Sequence, residues 1–157
     1  MPENMPLTET SEIDARRRAM RTLALAAPEA LEAAYAGFAG LPDWHFARRP
    51  ETGLVMVRGR IGGGGGPFNL GEMSVTRAAV TLATGETGHA YVAGRNQRKA
   101  AIAAVFDALW QNAGLRPRIE DEIIAPLGAA RDDADRRGAE QAAATRVDFF
   151  TLVRGDD

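Results

Sequence analysis

The apolar residues of this chain change period twice, and that switch constrains the fold more than any other feature. Residues 51–61, "ETGLVMVRGRI", alternate: Val55, Val57, Gly59 and Ile61 fall on one side, Arg58 and Arg60 on the other. Residues 71–94, "GEMSVTRAAVTLATGETGHAYVAG", read as two strands joined at Thr84-Gly85, where glycine tolerates a positive φ. Short alternating runs with tight turns predict an antiparallel meander. "WHFARR", ahead of Pro50, adds an edge strand. Both flanks carry the helical period. The expected class is therefore α+β: an N-terminal helical hairpin, an antiparallel meander sheet, and C-terminal helices with an apolar tail.

Residues 1–10 are expected to form a flexible leader. Ser11 can cap a first helix, with Asp14 in the capping-box position. Ile13, Met20, Leu23, Ala24 and Ala27 then share a face. Pro28 ends that helix and opens the next, whose stripe is Leu31, Ala34, Tyr35 and Phe38, stopped at Gly40. In "RNQRKAAIAAVFDALWQNAG", residues 95–114, Ile102, Val105, Phe106 and Leu109 make a core face. "LRPRIEDEIIAPL" reads as a loop with a short apolar piece at Ile123 and Ile124. Residues 127–146 form a polar, alanine-rich helix with pairs such as Asp132–Arg136 and Asp133–Arg137. The whole chain, 1–157, reads as one domain, with 127–157 a polar helix followed by the apolar tail.

Composition narrows the function. Aromatic residues are only 6% and much of the apolar content is alanine, so the core is built from small side chains. A net charge of −2 argues against a nucleic-acid partner, which calls for a basic field. The absence of cysteine excludes a thiolate nucleophile, a disulfide and a thiolate-held iron–sulfur cluster in this chain. The acidic N-terminus lacks the apolar core of a secretory signal. No run approaches the ~20 apolar residues of a membrane span. A cytoplasmic protein without a membrane partner is expected.

The glycine run Gly62–Gly66 invites a phosphate-loop reading, but a P-loop continues with lysine and Ser/Thr, whereas Pro67-Phe68-Asn69 follow here. A dinucleotide loop leads into a helix; both flanks here are strand-like, so the run is read as a strand-joining hairpin loop. His45 and His89 are too few for a three-ligand zinc site, and Ser11 and Ser74 sit in no nucleophile elbow. No catalytic or metal-binding residue is assigned. The basic residues are more suggestive. Arg95, Arg98 and Lys99 open a helix, where free N–H groups favour anions. Arg77 projects from the adjoining strand, and Arg58 and Arg60 could share its face, giving an anion or triphosphate patch. Surface charge with ion pairs is the alternative. At the C-terminus, Phe149, Phe150, Leu152 and Val153 form a dense apolar cluster flanked by Arg146, Asp148 and Arg154, suited to docking on a partner or adding a strand.

The segments "ETGLVMVRGRIGG", "TRAAVTLATGETGHAYVAGRNQRKAAIAAVFDAL", "IIAPL" and "RVDFFTLVRGD" together resemble the PhnG family, the G subunit of the bacterial carbon–phosphorus lyase core complex. The resemblance implies work with H, I and J subunits and an ABC-type ATPase subunit in phosphonate catabolism. It implies a transfer in which ATP gives its ribose 5-triphosphate to an alkylphosphonate and adenine leaves. ATP and phosphonate are then substrates of the assembly, no cofactor is held by this chain, and an iron–sulfur cluster belongs to the J subunit. No family motif assigns a catalytic residue here. The competing reading is a stand-alone anion- or nucleotide-binding module, or a small enzyme, built on the arginine patch.

Overall fold

The computed structural model describes residues 7–145, and within them the expected α+β order is present. Helix α1 (Leu7–Leu25) and helix α2 (Pro28–Gly37) form the N-terminal hairpin. Strands β1 (Trp44–Arg60), β2 (Pro67–Leu82) and β3 (Thr87–Ala93) make one antiparallel sheet in the order β1-β2-β3. Helix α3 (Gln97–Gln111) covers it. A short α4 (Arg116–Ile119), a π turn (Glu120–Ile124) and α5 (Ala125–Ala144) follow as one helical run.

Several expectations are corrected. α1 already begins at Leu7, so residues 7–10 are helical rather than leader, and Ser11 lies inside the helix rather than capping it. The buried face of α1 runs through Ala19, Leu23 and Ala26, leaving Ile13 exposed. Arg16, three residues before buried Ala19, lies on the same side of α1 and bonds Asp107 of α3. "WHFARR" is no separate strand: β1 continues through Pro50, with register shifts between Phe46 and Glu51. Proline survives there because β1 is an edge strand that need not donate on its outer side. Finally, "LRPRIEDEIIAPL" is helical. Pro117 and Pro126 occupy first-turn positions, where a missing N–H costs nothing, and the π turn ahead of Pro126 absorbs the register change. On α5 the ion pairs are Asp133–Arg136, Arg131–Asp132 and Arg131–Asp135, rather than the expected Asp132–Arg136 and Asp133–Arg137.

α3 is the axis of the core. Its expected face, Ile102, Val105, Phe106 and Leu109, is buried, and so are Ala100, Ala103, Ala104 and Ala108 between them. Tyr35 and Phe38 from the N-terminal hairpin meet Phe106 edge-to-face, at 6.2 and 6.1 Å between centroids. On the sheet side the closest approach is at Gly88 of β3. A Cβ there would overlap the Ala104 carbonyl oxygen and the Ala108 amide nitrogen. The same crossing holds a buried acid: Asp107 is 1% exposed, accepts the His89 amide at 2.8 Å, and takes a two-pronged bond from Arg16 at 3.0 and 2.7 Å. α1, β3 and α3 are thereby tied together at one point.

Gly88→Ala should therefore lower unfolding free energy by about 3 kcal/mol or more, because strand and helix must part to admit a methyl group. Gly53→Ala, where nothing lies within 4 Å of the added atom, should change it by less than ~0.5 kcal/mol. Urea unfolding of both variants checks the contrast; equal effects would show that the crossing is not tightly packed.

Candidate anion-binding and docking residues

The six basic candidates do not converge. Arg77, on β2, donates its Nε to Glu51 Oε1 at 2.6 Å, and Arg48 donates to the same oxygen at 2.8 Å. The two guanidiniums hold the Glu51 carboxyl below the usual range, Arg77 first and Arg48 second. This is an exposed surface triad on the open face of the sheet, beside Tyr91. Arg98 pairs with Glu32 of α2 at 3.0 Å. Two candidates are thus already met by carboxylates.

Arg58 and Arg60 lie far along β1. Exposure alternates there, with Val55, Val57 and Gly59 half-buried and Leu54, Met56, Arg58 and Arg60 exposed. Because Glu51 pairs with Arg77 across the strands, that alternation puts Arg58 and Arg60 on the opposite face from Arg77. The expected shared face is therefore corrected. Arg60 also donates to the Gly65 carbonyl at 3.3 Å, strapping the glycine loop. That loop joins β1 to β2, as its sequence predicts: Gly62 and Gly63 take positive φ of 60° and 76°, and the Gly65 amide bonds Ile61 O at 3.0 Å. Arg95 is exposed just beyond β3. Among the described residues, Arg58, Arg60 and Arg95 have no carboxylate within ion-pair distance.

Lys99 is the unusual member. It is 9% exposed on the first turn of α3, and its backbone N–H is taken by the Asn96 side chain at 2.8 Å. Desolvation pulls its ammonium pKa below the ordinary 10.5. The partner-docking candidates Arg146, Asp148, Phe149, Phe150, Leu152, Val153 and Arg154 lie outside the described residues.

Two features escaped the sequence reading. The Arg16–Asp107 pair had a signal in the lone acid of the apolar run "AAVFDALW" and the arginine-rich "ARRRAMR" of α1. The exposed apolar pair Leu54 and Met56 was visible in "GLVMV", where both sides of the strand are apolar. No group of three or more His, Cys, Asp or Glu converges among the described residues.

Burial of Lys99 has a pH consequence. Between its lowered native pKa and 10.5, the unfolded chain holds the proton more tightly, so stability rises with pH across that window. Lys99→Met should raise Tm at neutral pH, with the gain shrinking as pH approaches 10.5. Thermal melts of both proteins across that range check it. A variant less stable than wild type at neutral pH would show that a favourable contact holds the ammonium.

The description "Phosphonate metabolism protein PhnG" belongs to a family model that matches residues 14–155. The chain is also 52% identical over 142 residues to the alpha-D-ribose 1-methylphosphonate 5-triphosphate synthase subunit PhnG of Rhizobium meliloti (strain 1021), covering 90% of each chain. An α+β domain with a helix-covered antiparallel sheet and basic residues dispersed over it thus meets a match across nearly its whole length: this chain belongs to the PhnG family of phosphonate metabolism proteins.

Proposed function

We propose that this chain is a non-catalytic subunit of a multi-subunit synthase that moves the ribose 5-triphosphate of ATP onto an alkylphosphonate. In that reaction the bond from the ribose anomeric carbon to adenine breaks, a phosphonate oxygen takes the carbon, and adenine departs. Such a displacement calls for an activated nucleophile and a proton for the leaving base. The observation that carries the reading is the 52% identity, over 90% of the chain, to a protein named as a subunit of such a synthase. The dispersal of the basic residues supports it, because Arg77 and Arg98 are engaged by Glu51 and Glu32.

The partners of this reading are the H, I and J subunits and an ABC-type ATPase, with any iron–sulfur cluster in the J subunit and ATP and phosphonate as substrates of the assembly. Arg58, Arg60, Arg95 and Lys99 are the basic residues left to meet an anion, and the apolar cluster Phe149–Val153 with its flanking charges supplies a docking element. The compartment is cytoplasmic; no helix among the described residues is long and apolar enough to cross a membrane. The purified chain given ATP and methylphosphonate should release no adenine above a buffer control, while the complex co-expressed with H, I and J should release it. Adenine release by the chain alone, followed by chromatography, would favour the stand-alone enzyme.

A further inference from the structure

The sheet outruns its cover. β3 pairs with β2 only over residues 75–81, yet β1 and β2 stay paired to Arg60 and Pro67. Residues 53–60 and 67–74 therefore project as a two-stranded ribbon, about 25 Å long at ~3.3 Å per residue. Of the large apolar side chains exposed among the described residues, Leu54, Met56, Ile61, Phe68, Leu70 and Met73 all lie on this ribbon or its loop. Leu54 and Met56 are 62% and 51% exposed. They share a face with Thr52, whose hydroxyl meets that of fully buried Thr76 at 3.0 Å. The face that buries Thr76, Ala78 and Val80 at the base thus continues outward as exposed Leu54 and Met56, with no helix of the described residues over it. Further along the same side of β1 come Arg58 and Arg60, so the β1 stripe is apolar near the body and basic at the tip, with Ser74 and Glu72 of β2 paired across from Leu54 and Met56.

We propose that this ribbon is a docking arm for another subunit of the synthase. Its partner surface is an apolar shelf, laid over Leu54 and Met56 as a continuation of the helical layer, with carboxylates where Arg58 and Arg60 reach. The inference rests on the subunit reading above. Charge selects this occupant over a second copy of the chain: each ribbon carries Arg58 and Arg60 against Glu72 alone, so two ribbons packed together would gather an excess of like charge. A partner that supplies carboxylates removes that penalty. The Phe68 ring, lying 3.5 Å from where a Gly59 Cβ would sit, packs on the opposite face across the strands, beside the register shift between Val57 and Arg58.

The test uses the full chain with its H, I and J partners. Leu54→Ser/Met56→Ser and Arg58→Glu/Arg60→Glu should each weaken capture into the complex at least ten-fold, with unchanged circular dichroism, whereas Leu25→Ser, exposed but off the ribbon, should not. Because the chain has no cysteine, Met56→Cys places a single thiol on the stripe. Its maleimide labelling, read by mass spectrometry of this chain, should be fast in the free protein and at least ten-fold slower in the complex. Ribbon variants that assemble like wild type overturn the arm while leaving the subunit reading standing. Wild-type chain that is never captured overturns both. Slow labelling already in the free chain assigns the stripe to a second copy or to the chain's own C-terminus, and ribbon variants that assemble but lose ATP affinity assign the arginines to nucleotide; either result overturns the proposal.

Discussion

The fold depends on one crossing, where β3 lies against α3 with nothing but Gly88 between the strand backbone and the helix. Close approach there is possible because the helix offers Ala104 and Ala108, and it is oriented because Asp107 reaches the His89 amide. Arg16 completes the point by bringing α1 against the same carboxylate, which raises the guanidinium pKa chiefly through that hydrogen bond. A charge pair with its acid buried and its arginine half-buried is weak evidence for net stability, but its breakage leaves Asp107 unpaired, so it specifies how the three elements meet. At the crossing itself there is room only for small side chains, which is where α3 carries Ala104 and Ala108.

The crossing also sets how much of the sheet is covered. α3 has 15 residues, about 22 Å of helix at ~1.5 Å per residue. β1 has 17 residues, about 55 Å of strand at ~3.3 Å per residue. A helix packed at β3 cannot roof strands more than twice its length, so α3 leaves the outer ribbon uncovered for geometric reasons. A chain acting alone would be expected to shorten such strands or charge them heavily. This one keeps leucine and methionine there, and its family is one of phosphonate metabolism whose relative from Rhizobium meliloti is named as a synthase subunit.

Local chemistry was legible and distant chemistry was not. The face of α3, the start of α2 at Pro28, the alternation of β1 and the hairpin role of Gly62–Gly66 follow from period and turn residues. Pro50, Pro117 and Pro126 misled, because proline reads as a break while edge strands and first helical turns tolerate it. The inward face of α1 is set by a partner 91 residues away; the lone acid of "AAVFDALW" and the arginines of "ARRRAMR" each stand out, but no local pattern pairs them. The basic candidates fared likewise: their residue types suggested an anion patch, but Glu51 and Glu32 come from other elements and claim Arg77 and Arg98. The contrast between the two faces of β1 was present in the sequence; that one face lacks cover was not, because cover is a property of the tertiary arrangement.

The proposed docking arm requires that another subunit, and not nucleotide, completes the exposed face of residues 53–60. Amide hydrogen exchange on the chain, measured free, with ATP alone, and within the assembled complex, tests this most directly. Residues 53–60 should slow at least ten-fold on assembly, α3 around Asp107 should remain unchanged, and ATP alone should alter nothing. Protection by ATP alone around Arg77 and Arg95, with no change along residues 53–60 on assembly, would contradict it.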